Sequence, residues 1–230
     1  LVCGASAGLG FACAKALVEA GVHVVIVART ESNLQHAAQT LRDVHAGEVS
    51  WVAADVTTAE GRAKILSTHH DVDILVTNAG GPPPGDFRQW DREVWLKALD
   101  ANMLAPIELI KATVDGMMAR GFGRIINITS SAVKAPVDGL GLSNGARSGL
   151  TGFVAGLARS TVAHGVTINN LLPGTFDTAR LAGNFAAQAQ REGSTPEAVR
   201  AARIAKHPAK RLGLPQELGN TCAFLCSVHA

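Results

Sequence analysis

The sequence predicts an α/β chain: a single domain built on a doubly wound parallel sheet, with helices on both faces. Three observations carry this. Short β-branched apolar runs alternate with longer stretches of helical period. A glycine cluster sits between the first run and the first helix. The 230 residues, 47% hydrophobic and 17% charged, suffice for one large core and contain no linker, internal repeat or low-complexity tract. After the apolar opening Leu1-Val2-Cys3, the runs are Val22–Ala28, Val49–Ala54, Val72–Val76, Arg124–Ile128 and Val166–Leu172. They are nearly continuous, as strands covered on both faces should be. Helices are expected over about 9–20, 31–45, 58–69, 91–119, 143–164 and 215–228. In the fourth, Leu99, Met103, Ile107, Ile110, Val114 and Met117 recur every three or four residues along one helix face. Gly80 to Gly85 (GGPPPG) follows a strand and reads as a stiff surface loop.

Composition excludes several classes of partner. Twenty-one Lys+Arg against 19 Asp+Glu give +2, a balance that argues against nucleic acid or an anionic membrane surface. Polar residues interrupt every run before it reaches the length of a membrane span. Cys3, Cys13, Cys222 and Cys226 are too few and too scattered for a disulfide framework, so a reducing, cytoplasmic setting is expected. Cys222, Cys226 and His229 share one face of a helix, a soft-metal spacing, but without a fourth ligand they read as core cysteines, and no metal is expected. Leu1 is not a Met, and Cys222–Ala230 ends on a helix with nothing after it. The chain is read as a fragment lacking a few residues at each end.

Ligands in open α/β sheets sit beyond the carboxyl ends of the strands. Gly4-Ala5-Ser6-Ala7-Gly8-Leu9-Gly10 lies at such a strand-to-helix turn. Glycine permits the tight turn and close backbone approach, and the helix start offers N–H groups to a diphosphate. A Rossmann-type, nucleotide-binding sheet follows as the expected fold.

The G-x3-G-x-G spacing resembles the short-chain dehydrogenase/reductase family. Other pieces match in order: Asp55-Val56, Asn78-Ala79-Gly80, Asn102, Ile126 to Ser130, Asn169 to Gly174, and Lys210 to Glu217. The resemblance spans almost the whole chain. It implies a nicotinamide cofactor held by Gly4, Ser6, Ala7, Gly8, Leu9, Gly10, Arg29, Thr30, Asp55, Val56, Asn78, Ala79, Gly80, Asn144, Pro173, Gly174 and Thr175. It also implies a homodimer or homotetramer formed through the 91–119 and 143–164 helices, and a substrate-covering helical segment over 175–210.

A carboxylate after the second strand would bind the adenosine ribose and repel a 2′-phosphate. Ala28, Arg29 and Thr30 stand there, with no acid before Glu31. Arg29 can clamp a phosphate, so NADP(H) is favoured over NAD(H). A solvated surface arginine is the plainer reading. Ala7 stands where the family often has a second basic residue.

The family transfers hydride between nicotinamide and a carbonyl or alcohol. It uses a Ser at the carbonyl oxygen, a Tyr as proton donor, a Lys that tunes the Tyr, and an Asn that holds a relay water. Ser130 matches the Ser, with Ser131 beside it, and Asn102 matches the Asn. Pro106 lacks the N–H that would bond the Asn102 carbonyl, which leaves that carbonyl free for water. The Tyr is missing: the chain has none. In the register set on Gly149-Leu150-Thr151, Leu140 takes its place and Asn144 that of the Lys, and the loop after Ser130 is short. Ser143, Asn144 and Arg147 remain nearby. Arg147 can restore the lost charge or be a structurally paired arginine. Two functions are therefore carried forward. One is a carbonyl/alcohol oxidoreductase with a non-standard proton donor. The other is a nucleotide-binding protein of the same fold, a sensor or scaffold without redox catalysis.

Overall fold

The computed structural model describes residues 1–230. Its six strands are β1 (Val2–Cys3), β2 (Val24–Ala28), β3 (Val49–Ala53), β4 (Ile74–Thr77), β5 (Gly123–Ile128) and β6 (Val166–Leu171). They form one parallel sheet in the order β3-β2-β1-β4-β5-β6. The order reverses between β1 and β4, which opens a crevice at the strand ends there. Register is set by alternation. Val2, Ile26, Val76 and Ile126 bury one face against α1 (Gly8–Glu19), α2 (Glu31–Arg42) and α9 (Pro215–Cys226). Their neighbours Cys3, Val27, Leu75 and Ile125 bury the other, against α3 (Ala59–Thr68), α5 (Ala105–Arg120) and α6 (Gly141–Thr161). A one-residue slip would exchange the two cores.

A polar rung crosses the sheet just below the crevice. Thr77 Oγ1 donates to Asn127 Oδ1 at 2.7 Å, and Asn127 Nδ2 donates to Asn170 Oδ1 at 3.2 Å. It ties the ends of β4, β5 and β6, the strands that carry the site, into one register.

The expected 91–119 helix is not continuous. It divides into α4 (Arg92–Leu99), a π-helical turn over Asp100–Leu104, and α5. The Ala105 N–H reaches back to the Asp100 carbonyl. Pro106 cannot bond the fourth residue before it, and the ladder takes up that defect as a wider turn.

The 175–210 segment holds two helices, α7 (Ala179–Glu192) and α8 (Pro196–Lys206). Phe185, Ala189, Val199 and Leu212 form their own small core, apart from the two that sandwich the sheet. Cys222 and Cys226 are buried with Cys13, whereas His229 is exposed, so the three do not converge. No helix is long and apolar enough to cross a membrane.

Candidate active site

The glycine turn is built from backbone. Gly4 and Gly8 have φ of +59° and +61°, the left-handed region. A Cβ on Gly10 would lie 2.3 Å from the Gly4 carbonyl oxygen, so only glycine fits there. Asn78 Nδ2 donates to that same oxygen at 3.2 Å and pins the turn to the end of β4. Helix α1 starts at Ala7 without a side-chain cap and without an acid in its first turn. Its first N–H groups and the positive end of its dipole stay free for an anion. These residues fit a nicotinamide dinucleotide: a close backbone cradle for the diphosphate, with Ser6 and Ala7 on its rim and Leu9 facing the cleft.

At the end of β2, Arg29 and Thr30 are exposed, and the Thr30 side chain makes no capping bond to α2. Asp55 Oδ1 accepts from the Thr57 N–H at 2.9 Å and from its hydroxyl at 2.8 Å. Partial burial pushes the Asp55 carboxyl up, but the Thr57 bonds and the nearby Arg29 outweigh this and hold it below the usual carboxylate range. The adjoining Val56 carbonyl accepts from Arg62 at 2.9 Å, which fixes the strand end. Across the crevice, Ala79 lines the cleft and Gly80 is exposed beside it.

A cleft of about 670 Å³ runs from Leu9 and Asn78 past the ends of β5 and β6 to α8. Ser130 stands on its wall in extended backbone at the end of β5, and its Oγ accepts from the Ala132 N–H at 3.1 Å. Ser131 is exposed on the same wall, and its N–H bonds the Pro173 carbonyl at 3.0 Å. Gly174 follows on the rim, and the Thr175 carbonyl accepts from Gly213 at 2.9 Å.

The start of α6 changes the reading of the missing pair. Leu140, Ser143 and Arg147 line this cleft. Asn144 does not. It faces the neighbouring cleft beside Trp90, and its Nδ2 donates to the Val137 carbonyl at 3.0 Å. Leu140 is the non-helical cap that precedes α6, and it and Asn144 therefore do not form a pair toward the site. Ser143 and Arg147, also four apart, are the two that do face it together. This register adds three residues to the loop after Ser130.

Arg147 is only 8% exposed. One guanidinium nitrogen donates to the carbonyls of Ile128 and Thr129, at 2.8 and 2.9 Å, where β5 runs out of strand partners. Burial, and then the like charge of Arg180, lower its pKa to about 10, so it remains a cation at neutral pH. Asn102, 4% exposed, is not on the cleft wall. It sits inside the π turn, where its Nδ2 donates to the Ala98 carbonyl at 3.2 Å and its Oδ1 has no protein partner.

Among the cleft residues that escaped the reading of the sequence are Thr178, Arg180 and Arg203. Thr178 caps α7 and comes within van der Waals distance of the Gly8 position. Arg180 reaches over from α7 and donates to the Gly81 carbonyl at 2.9 Å. Arg203 comes from α8. The cap before α7 was a readable signal for Thr178; for the arginines none existed, since both lie on polar helices.

The family model for short chain dehydrogenases matches residues 1–189. Dehydrogenase/reductase SDR family member 4 of Bos taurus is 34% identical, over all of this chain and 81% of the relative. A 3-oxoacyl-[acyl-carrier-protein] reductase of Vibrio cholerae is also 34% identical, over all of this chain and 90% of that protein. Among solved structures, L-sorbose reductase from Gluconobacter frateurii, complexed with NADPH and L-sorbose, matches with a TM-score of 0.93 and 30% identity, over all of this chain and 89% of the other. An NADPH-dependent reductase involved in bacilysin biosynthesis matches at 0.91 and 27%, over 99% of this chain and 90% of that one.

Proposed function

This chain belongs to the short-chain dehydrogenase/reductase family, and from that membership we propose that it is an NADP(H)-dependent carbonyl reductase or alcohol dehydrogenase that works without a tyrosine. The observation that carries the reading is one cleft joining the glycine turn to Ser130, Ser143 and the buried cation Arg147. Arg29, the free Thr30 hydroxyl and the absence of an acid at the end of β2 support a 2′-phosphate.

When bound, a reduced nicotinamide supplies the hydride that the carbonyl carbon accepts. The electron pair of the C=O bond then moves onto oxygen. Ser130 donates a hydrogen bond to that oxygen and steadies the developing charge. Ser143 passes it a proton and recovers one from water. Arg147 stabilises the negative charge around Ser143 and holds the end of β5 in place through its two carbonyls. The buried Asn102 Oδ1 is a free acceptor that can orient a water for this recovery. Without a tuned phenol the general acid is weak, and such a group is worth about 10²–10⁴-fold. A slow enzyme follows, best on activated carbonyls. The α7–α8 segment covers the substrate, and the apolar Leu96 and Phe153, exposed on α4 and α6, support a homodimer or homotetramer.

The test is NADPH consumption across a panel of carbonyl compounds. Ser130→Ala is expected to lower kcat/KM by about 100-fold, as loss of one oxyanion donor does. Tight NADPH binding with no turnover of any carbonyl would favour the alternative, a nucleotide-binding sensor or scaffold.

A further inference from the structure

The charges in the cleft are one-sided. Its wall carries Arg147, Arg180 and Arg203 and no Asp or Glu. Elsewhere, Arg200, one turn before Arg203 on α8, bonds Asp177 at 2.6 Å, and Arg88, Arg120 and Arg211 also have carboxylate partners. None of the three cleft arginines has an ion-pair partner. Two of them converge. The position a Gly81 Cβ would take lies 2.9 Å from Arg180 Nη2 and 3.5 Å from Arg147 Nη2. Like charges held this close in a partly dry cleft repel. The only acceptors they find in the protein are the backbone carbonyls of Gly81, Ile128 and Thr129.

We propose that the carbonyl substrate carries an oxyanion, a carboxylate or phosphate ester, and that Arg180 and Arg203 receive it at the outer end of the cleft. The proposal rests on the oxidoreductase reading and adds the charge of the substrate. An oxyanion placed there relieves the Arg147–Arg180 repulsion and accepts two or more charge-assisted hydrogen bonds. A neutral substrate would leave that repulsion in place. The diphosphate of a bound dinucleotide has its own cradle at the start of α1, whereas the arginines stand on α6, α7 and α8.

The experiment measures binding, so it needs no turnover. With NADPH saturating, thermal shift and intrinsic fluorescence compare pyruvate, acetoacetate and levulinate with their methyl esters, and dihydroxyacetone phosphate with dihydroxyacetone. At least one oxyanion should bind roughly tenfold or more tightly than its neutral counterpart. Arg180→Gln with Arg203→Gln should erase that preference and leave NADPH affinity within about twofold. Arg203→Gln alone, at an exposed and unpaired side chain, should already weaken it without touching the fold. Neutral compounds binding as well as the acids, no oxyanion binding, or an unchanged preference in the double variant would overturn the proposal. So would a loss of NADPH affinity in the double variant, which would assign the arginines to the cofactor. Failure of the unaltered chain to bind NADPH would instead overturn the oxidoreductase reading itself.

Discussion

At the glycine turn the backbone makes the site; at the start of α6 the side chains do. In the proposed reading Gly4, Gly8 and Gly10 act by what they lack, and a diphosphate cradle follows from φ angles and the free N–H groups of α1. In the same reading Ser130, Ser143 and Arg147 act by what they carry, and they share one cleft because the end of β5 and the start of α6 both border it. A backbone site is written in consecutive residues. A side-chain site depends on which face a helix turns toward a cleft, and an error of three residues sends the chemistry into the wrong cavity.

The backbone half can be broken most sharply within its own motif. Gly10→Ala should destabilise the fold by about 3 kcal/mol and abolish measurable nucleotide binding, because the new Cβ meets the Gly4 carbonyl. Gly8→Ala meets nothing closer than the Thr178 methyl, at 3.8 Å, and should cost only the left-handed strain of about 1–2 kcal/mol. Urea unfolding and NADPH fluorescence titration of the pair separate steric from conformational demand. Equal losses would show that the contact with Gly4 is unimportant.

The side-chain half is sharpened by building the family pair into each register. Ser143→Tyr with Arg147→Lys puts phenol and ammonium on the cleft face and should raise kcat on an unactivated ketone by about 100-fold. Leu140→Tyr with Asn144→Lys should give no gain, because Asn144 faces the Trp90 cleft. Gly141 and Gly145 lie on that outer face, where a Cβ would come 2.8 Å from Trp90 and 3.2 Å from Trp95, so the tryptophan pair fixes the roll of α6. A faster Leu140/Asn144 variant would restore the first register.

These cases show what was legible in the sequence. The parallel strands, both apolar faces and the glycine turn follow from local pattern: β-branched runs, glycine spacing, a strand-to-helix turn. Ser130 was readable because a strand end cannot roll. Asn144 and Arg147 were not separable, since one helical stretch offers several residues near a site and only the Trp90–Trp95 packing decides among them. Arg180 and Arg203 reach the cleft from helices whose polar residues look like solvated surface.

A smaller effect tests the adenosine end. Arg29→Ala should weaken NADPH by about tenfold and leave NADH unchanged, the expected size for one exposed charge-assisted contact to phosphate. Parallel titrations with both nucleotides read it out. If both weaken together, Arg29 supports Asp55, whose carboxylate it helps keep ionised, and does not read the 2′-phosphate.

The smallest expected change in stability comes from Asn102, where the two modes of construction meet in the π turn. Its Nδ2 bond to Ala98 contributes about 1 kcal/mol, while a buried acceptor left unpaired costs about 1–3 kcal/mol. Asn102→Leu removes both at nearly constant volume, so the terms oppose each other. If Oδ1 orients a water in the active protein, its cost is already offset, and the variant should lose about 1 kcal/mol together with roughly tenfold in kcat, with the nicotinamide Kd unchanged. If Asn102 only fills the π turn, the variant should gain stability and keep its rate. Because stability and rate are predicted to fall together in the first case and to part in the second, one urea titration beside one steady-state assay decides whether the turn left by Pro106 belongs to the catalytic half of the molecule.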